Sequence, residues 1–378
     1  MDWITQAALG AALGEMMMGK RLGNRALAWG ALFGLLPELL EVLFFPITDT
    51  ARELSWHHAA GHCIAVIALG CWGIPQGLER LWKREKISRK EATVFLLAVW
   101  CAHVALDICT TDGVALLWPI LDKRVALNFL NPLDLLFSAP LVVSVIWLAC
   151  LKEEKAKKSR SKKPQPLPKR HKILRWGLGV MAGYAVLALT MKSVASAGFG
   201  ADLTRRGTKF TRKIEVPTPH NFLLWRSVVD RGDEMWVGYR SIFESRETPV
   251  RWTIYPKGGS AVENVKATRE GKTLMAVCDG WWLARPHAKG AWIGDLRQPE
   301  ARDWGAKKTM VDSRLSRSWV IDTEVKGDHL RAFSEQATTG DFLQRLGGRI
   351  IGRREDWEAN PRLAGMRGSL PEFLAVEQ

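Results

Sequence analysis

Two pairs of ionisable residues lie inside otherwise apolar segments of the chain. Glu38 and Glu41 are three positions apart in LLPELLEVLF, which puts both carboxylates on one face of a helix. His103 and Asp107 are four positions apart in WCAHVALDICTTDG, which brings an imidazole and a carboxylate to one helix face. Ionisable side chains are costly in lipid, so each of these residues is a candidate for function.

A third group consists of the histidines of SWHHAAGHCIAV, namely His57, His58 and His62. Imidazole and carboxylate together suit zinc or another divalent transition metal. The residue types alone leave other interpretations open, because a lone buried histidine is more often a hydrogen-bonded core residue than a ligand. Glu38 and Glu41 could also simply reach the lipid headgroups. On an ideal helix His58, rather than His57, shares a face with His62.

The elements that must position these residues are long apolar segments. A bilayer crossing takes about 20 apolar residues, and the segments that approach this length are 26–46, 58–79, 92–110, 131–151 and 173–195. A shorter apolar helix is predicted at 3–18. Gly10 with Gly14, and Gly30 with Gly34, have the GxxxG spacing that lets helices approach closely. Chance pairs in a Gly-rich chain are the alternative.

Charge alternates between the connections of these segments. Lys20–Arg25, Arg80–Lys90 and Lys152–Arg175 are basic, whereas 47–57 and 111–130 carry few cations. The positive-inside rule places the basic connections in the cytoplasm. The three groups of ionisable residues then lie together at the outer face of the membrane, and residues 198–378 lie outside the cytoplasm, which in a bacterium is the periplasm.

The formal net charge of +15 would by itself suggest nucleic acid. However, Lys152–Arg175 contains eleven Lys and Arg against two Glu, a net charge of +9, between two apolar segments. This position favours a cytoplasmic, membrane-flanking loop at 152–172. We therefore expect membrane lipid as a partner and no nucleic acid. The six cysteines include no CxxC pair, which argues against a disulfide framework and a thiolate zinc site.

Residues 198–378 are predicted to form a separate, water-soluble, mainly β domain. Short runs rich in Trp, Val, Ile and Tyr alternate with turn residues at 234–243, 251–256, 273–284, 290–296 and 318–325. The predicted fold is thus an α-helical membrane bundle at 1–197, with about five spans and a short N-terminal helix, followed by a β-rich extracytoplasmic domain at 198–378.

Several segments resemble the YdjM-like family of LexA-regulated inner-membrane proteins, for which metal-dependent hydrolysis is predicted. The opening DWITQAALGAALGEMMMGKRLGNRALAWGALFGLLPE is similar to the family's N-terminal region. Pro37–Leu40 matches its Pro-Asp-x-Asp element, and His57–Cys63 matches its His-Arg-Gly-x-Thr-His-Ser element. His103 and Asp107, followed by Thr110 and Gly113, match its His-x-x-x-Asp element. The LexA link implies a role in the SOS response.

The chain departs from the family pattern at several positions. Glu38 replaces an aspartate, and Leu40 replaces the second one, next to Glu41. The other replacements are His58 for Arg, Gly61 for Thr, Cys63 for Ser, and Asn131 where relatives tend to have Asp. The metal-binding positions are retained. The resemblance therefore implies that the ligands are His57, His62, His103 and Asp107.

The sequence thus predicts a metal-dependent hydrolase at the outer face of the cytoplasmic membrane, with zinc as the expected ion. Glu38 or Glu41 would be the catalytic general base or a further ligand, and His58, Thr110 and Asn131 are additional candidates for the site. The substrate would be a small molecule or a lipid, and the position of the site suggests a phosphoester or a lipid headgroup. One alternative is a non-catalytic scaffold or envelope-stress protein with a structural metal site. A proton- or ion-coupled transporter is the other.

Overall fold

Two compact units make up the chain. The structure is a computed structural model that describes residues 1–44, 49–151, 168–287, 290–298, 300–303, 311–315, 317–322, 329–332, 342–354, 357 and 361–363. The first unit consists of Met1–Pro46, Trp56–Leu127 and Asn131–Leu187. The second consists of Ile47–Ser55, Asn128–Leu130 and Ala188–Gln378, so it includes short pieces of the N-terminal half.

The N-terminal half is helical. Its helices are α1 (Trp3–Leu22), α2 (Arg25–Gly34), α3 (Leu36–Phe44), α4 (Thr50–Trp56), α5 (Ile64–Leu81), α6 (Arg89–Ile108), α7 (Leu135–Cys150) and α8 (Pro168–Arg205). Asp2 accepts a hydrogen bond from the Thr5 amide at the start of α1. Ser88 and Glu91 form a capping box at the start of α6. These caps fix where the two helices begin.

The described residues confirm some of the predicted spans. Among the described residues, Arg89–Ile108 and Lys169–Arg205 are long and apolar enough to cross a membrane. The pair Arg25–Gly34 and Leu36–Leu43, bent by 52°, adds a third span if it is counted as one. These three correspond to the predicted segments 92–110, 173–195 and 26–46.

The other two predicted spans are not confirmed. The segment 131–151 contains only the 16 residues of α7, because Asp134 starts that helix by capping the Leu136 and Phe137 amides. In the segment 58–79 the residues up to Cys63 form turns, so α5 begins at Ile64 and ends with the polar Gln76, Glu79 and Arg80.

The GxxxG pairs lie where α1 and α2 meet. A Cβ atom on Gly10 would lie 2.2 Å from the Gly30 carbonyl oxygen, and one on Gly14 would lie 2.1 Å from the Ala26 carbonyl oxygen. A Cβ atom on Gly34 would lie 2.5 Å from the Gln6 carbonyl oxygen. The two helices therefore touch backbone to backbone, and only glycine fits at these positions.

The C-terminal half is rich in β-sheet. One sheet has the strand order β1 (Arg212–Pro217), β2 (Leu224–Asp230), β3 (Glu234–Ser241) and β4 (Trp252–Pro256), all antiparallel. A second antiparallel sheet has the order β10 (Leu330–Ala332), β9 (Ser318–Asp322), β6 (Gly290–Asp295) and β5 (Trp282–His287). A three-stranded sheet contains β11 (Pro361–Leu363), β8 (Val311–Leu315) and β7 (Glu300–Asp303).

The two faces of the second sheet contribute to different cores, because successive side chains of a strand point to opposite faces. Trp292 joins the first sheet in one apolar cluster, whereas Ala291 and Ile293 pack with helices α9 (Ser260–Lys266) and α10 (Arg269–Val277) in another. Helix α11 (Phe342–Ile350) contributes Leu346 to the first cluster.

The predicted strand at 273–284 is wrong in its first half. Residues up to Val277 belong to α10, and only β5 is extended. Thr268 caps the helix by accepting a hydrogen bond from the Gly271 amide. Leu274 and Cys278 are buried in one core and Val277 is also buried, which is the spacing of a helix face. The composition of residues 273–284 is therefore typical of a strand, whereas the spacing of their buried side chains up to Cys278 is that of a helix.

Candidate metal centre

The candidate metal centre is built from two helices and a loop. Glu38 lies on α3, His103 and Asp107 lie one turn apart on α6, and His62 lies in the turns that precede α5. One potential ligand atom from each of these four residues lies within 4.8 Å of the other three, and all four residues are buried. Three separate segments of the chain thus bring two imidazoles and two carboxylates to one point.

The distances between the potential ligand atoms are short. Asp107 Oδ2 lies 3.0 Å from His103 Nε2 and 3.3 Å from His62 Nε2. Glu38 Oε1 lies 3.2 Å from His103 Nε2, and the two Nε2 atoms are 3.0 Å apart. Ligands that share one zinc ion at about 2.0–2.2 Å are themselves roughly 3–3.5 Å apart. The spacing of the four residues is therefore that of a single-ion site.

Each imidazole is oriented by its other ring nitrogen. His103 Nδ1 lies 2.7 Å from the Gly34 carbonyl oxygen, and His62 Nδ1 lies 2.9 Å from Glu41 Oε1. Carbonyls and ionised carboxylates only accept hydrogen bonds, so we assign the proton of each neutral imidazole to Nδ1. The lone pairs of both Nε2 atoms then face the centre, as in histidines that bind metals.

Three carboxylate oxygens at the centre lack hydrogen bonds. Glu38 Oε1, Glu38 Oε2 and Asp107 Oδ2 are buried without a hydrogen-bond partner among the described residues. Glu38 Oε1 and Asp107 Oδ2 nevertheless lie within 3.0–3.3 Å of imidazole nitrogens. Buried carboxylate oxygens without partners are costly, and facing lone pairs repel. A divalent cation would remove both penalties and balance two negative charges, so these residues fit a bound metal ion.

Asp107 is held in place by its second oxygen. Gln6 Nε2 donates to Asp107 Oδ1 at 2.9 Å and also reaches the His103 carbonyl oxygen at 3.3 Å. The amino group of Met1 lies 2.7 Å from the same Oδ1. Oδ2 is thereby left to face the two imidazoles.

Glu41 lies behind His62 rather than at the centre. Its Oε1 accepts from His62 Nδ1, and its Oε2 lies 3.3 Å from the His58 amide nitrogen. The His62 ring thus separates this carboxylate from the Nε2 atom that faces the centre. The contacts of Glu41 are those of a residue that orients a metal-binding histidine.

His57 and His58 lie outside the four-residue group. The His57 side chain is 34% exposed, and its Nδ1 lies 3.4 Å from Glu41 Oε2. His58 is buried with a backbone φ of 55°, and its Nδ1 lies 3.1 Å from the Gly113 carbonyl oxygen. The structure thus brings Glu38, instead of His57, to the other three residues.

Thr110 and Asn131 take part in local turns. Thr110 Oγ1 donates to the Asp107 carbonyl oxygen at 2.8 Å, just after the end of α6. Asn131 Oδ1 accepts from the Leu133 amide at 3.0 Å. Both residues are buried, and neither belongs to the group of potential ligands.

Two supporting groups were not predicted from the sequence. Gln6 is a polar residue within the apolar N-terminal helix, which is only a weak indication of a role at the site. The sequence contains no indication of the role of the Gly34 carbonyl, because every residue has a carbonyl group and this role depends on how α2 and α6 pack. Gly34 itself was predicted, but only as a packing residue.

Gly61 sets the distance between the histidine loop and α3. A Cβ atom on Gly61 would lie 2.2 Å from the Pro37 carbonyl oxygen, next to Glu38. The Gly61 carbonyl also accepts from Trp100 Nε1 at 3.1 Å. We predict that Gly61→Ala separates His62 from Glu38 and destabilises the protein by about 1–3 kcal/mol, as overpacked cores do.

Thermal unfolding and metal content of the detergent-purified protein test this prediction. Gly77→Ala is the matched control, because a Cβ atom there meets no atom within 4 Å. Equal unfolding temperatures and equal metal content for the two variants would show that the loop does not need this close approach.

Comparison with known proteins identifies a family. The model of the YdjM inner membrane protein family matches residues 1–195, which include all four residues of the candidate metal centre. Searches of curated proteins and of solved structures gave no significant match.

Proposed function

The chain belongs to the YdjM inner membrane protein family, and we propose that it is a membrane-bound, metal-dependent hydrolase. One observation carries the proposal. His62 Nε2, His103 Nε2 and the oxygens of Glu38 and Asp107 that have no hydrogen-bond partner among the described residues lie together at one buried point. A hydrogen-bonded network without a metal would leave fewer buried carboxylate oxygens unpaired.

The donor set favours zinc. Two imidazoles and two carboxylates suit zinc and other divalent transition metals better than magnesium or calcium, which prefer oxygen ligands alone. The negative charges of Glu38 and Asp107 would balance the charge of a divalent ion. Manganese and iron are the next candidates on the same grounds.

Each residue has a definite part in this proposal. When bound, a divalent ion would lower the pKa of a coordinated water and polarise the scissile bond. His62, His103 and Asp107 would hold the ion, and Glu41 would keep His62 in the orientation that metal binding needs. Glu38, whose two oxygens have no hydrogen-bond partner in the described part of the chain, would accept the proton of the attacking water and pass it to the leaving oxygen. The reaction thus adds one water molecule across one ester bond, and the proton removed from the water ends on the leaving oxygen.

A structural metal site is the second candidate. It is favoured by the number of donors, since four protein ligands complete a tetrahedral zinc shell and leave no position for water. The two proposals assign different roles to Glu38: general base in the hydrolase and fourth ligand in the structural site.

Glu38→Gln separates these roles. If Glu38 is the base, the variant keeps its metal and loses about 10²–10⁴-fold in hydrolysis, the usual contribution of general acid–base catalysis. The measurements are metal content by elemental analysis and hydrolysis of bis(p-nitrophenyl) phosphate in detergent. Glu247→Gln, at an exposed position in the C-terminal half, is the control and should leave both unchanged.

Loss of the metal from Glu38→Gln would instead support the structural site. Wild-type protein that binds a metal ion but hydrolyses neither this ester nor phosphatidylglycerol in vesicles would contradict the hydrolase for these ester classes.

We place the site at the outer face of the membrane. The argument is the alternation of basic and non-basic connections. Reporter fusions after residues 86 and 160 should then read cytoplasmic, and a fusion after residue 210 should read extracytoplasmic. A cytoplasmic reading after residue 210 would move the site to the inner face without altering its ligands.

A further inference from the structure

Residues 114–125, between α6 and α7, form a hairpin that we call the apolar hairpin. Val114 and Val125 pair antiparallel at its base, with N–H···O distances of 3.0 and 2.9 Å. Its tip, residues 116–121, has the sequence LLWPIL.

The tip exposes apolar side chains next to one another. Leu117 is 56% exposed, Ile120 is 92% exposed and Leu121 is 44% exposed. Single exposed apolar residues are common on protein surfaces, but a contiguous patch marks an interaction surface. The tip is therefore covered by something when the protein is in its native setting.

Three of the five amide groups in the tip donate to carbonyl oxygens of the hairpin itself. The Trp118 amide donates to the Ala115 carbonyl at 3.2 Å, and the amides of Ile120 and Leu121 both donate to the Leu117 carbonyl at 3.0 Å. Pro119 has no amide hydrogen to satisfy. A segment that enters lipid must pair its backbone donors internally, because hydrocarbon offers no acceptor. The amides of Trp118, Ile120 and Leu121 meet that requirement although the tip is neither a helix nor a strand.

The polar and aromatic residues around the tip suit a membrane interface. Trp118 packs edge to face with Trp56, with ring centroids 5.9 Å apart, and indoles favour the headgroup region. Asp122 and Lys123 follow the tip directly and are exposed. Leu135 and Leu136, at the start of the apolar helix α7, are also exposed, at 59% and 61%. Helix α7, like the tip, therefore exposes apolar side chains, and it lies in the part of the chain that matches the membrane-protein family.

The base of the hairpin is attached to the histidine loop. The Ala115 amide donates to the His58 carbonyl at 3.0 Å, and His58 Nδ1 donates to the Gly113 carbonyl at 3.1 Å. The Ile64 amide donates to the Leu116 carbonyl at 3.0 Å. These bonds flank His62 on both sides along the chain, so the position of the tip and the position of the metal centre are linked.

We infer that the tip of the apolar hairpin inserts into the bilayer leaflet beside the candidate metal centre and holds that centre at headgroup depth. The occupant of the exposed apolar surface is the lipid of the membrane in which the chain resides. One consequence rests on the proposed function: the hydrolysed ester belongs to a membrane lipid rather than to a water-soluble molecule.

Fluorescence depth measurements test the insertion. Ile120→Cys is introduced after the more accessible native thiols Cys101, Cys109 and Cys150 have been replaced by Ser. An environment-sensitive thiol-reactive fluorophore is attached, and the full chain is reconstituted in vesicles of phosphatidylcholine and phosphatidylglycerol. We expect blue-shifted emission that is quenched by spin-labelled lipid and protected from aqueous iodide.

Phe243→Cys is the matched control, because Phe243 is 67% exposed and apolar but lies in the sheet-rich unit. Its probe should be quenched by iodide and not by spin-labelled lipid. If the Ile120→Cys variant does not fold, as judged by size-exclusion chromatography, Leu117→Cys takes its place.

A probe at the tip that is quenched by iodide overturns the proposal. So does a probe that is protected from iodide yet insensitive to spin-labelled lipid, because a second protein chain would then cover the tip. The fluorescence readout does not depend on metal or turnover, so the insertion can fail while the hydrolase stands, and the reverse.

Discussion

Replacing His103 by Ala should release the metal ion from the purified protein. His103 Nε2 lies within 3.2 Å of both Asp107 Oδ2 and Glu38 Oε1. The variant therefore loses a potential ligand atom that is close to both carboxylates. Removing even a residue that only orients a ligand costs about 10–100-fold in metal affinity. We expect a larger loss for His103→Ala and for His62→Ala, and a loss of about 10–100-fold for Glu41→Ala. Competition with a fluorescent zinc chelator gives the affinities.

The order of these effects is the informative part of the experiment. His171→Ala, which removes an imidazole from the start of α8, should keep wild-type affinity. An equal loss for Glu41→Ala and His103→Ala would place Glu41 among the ligands. Wild-type affinity in His103→Ala would exclude the site altogether.

Replacing Gly30 by Ala should be among the most destabilising single-atom additions in the helical unit. The new Cβ atom would lie 2.1 Å from the Gly10 carbonyl oxygen, and backbone cannot move aside as a flexible side chain can. We expect a loss of about 3 kcal/mol, the upper range for an overpacked core. Unfolding in a detergent titration, followed by circular dichroism, measures it.

The matched control is Gly73→Ala on α5, where a Cβ atom meets nothing within 4 Å. The two variants have the same gain of about 1 kcal/mol in helix propensity, so the control should be neutral or slightly stabilised. Similar stabilities for the two variants would mean that α1 and α2 do not pack at the distance described.

This glycine contact also bears on the metal centre. Gly34, at the end of α2, supplies the carbonyl oxygen that orients His103, and it packs against the Gln6 backbone. Gln6 in turn holds Asp107. Close packing of α1 and α2 is thus needed for the orientation of two potential ligands, and we expect Gly30→Ala to weaken metal binding as well as folding.

Helical spacing accounts for what the sequence predicted of the site. His103 and Asp107 are one turn apart on a continuous helix, so their shared face followed from local geometry. The same rule put Glu38 and Glu41 on one face, and both are buried. Helical spacing could not predict that Glu38 and Glu41 have different contacts, because the residue that each one contacts belongs to another segment of the chain. His62 meets Glu41 and His103 meets Glu38 only once α3, α6 and the loop have packed.

His57 shows where local reasoning stops. The residues at 57–63 form turns rather than the first turns of a helix, so neither spacing nor motif order determines which histidine points inward. The positive φ of His58 is a tertiary feature of the same kind. The unconfirmed spans have a comparable origin, since apolar composition did not reveal that turns would delay the start of α5 or that Asp134 would cap α7.

X-ray absorption spectroscopy of the purified protein tests the central claim most directly. The spectrum at the metal K-edge reports which atoms bind the ion, independently of turnover. We predict about one ion per chain with a nitrogen and oxygen first shell at about 2.0–2.2 Å, outer-shell scattering from two imidazoles and no sulfur. A sulfur shell, a shell without imidazole, or protein purified without metal that binds none when zinc is added would contradict the site formed by Glu38, His62, His103 and Asp107.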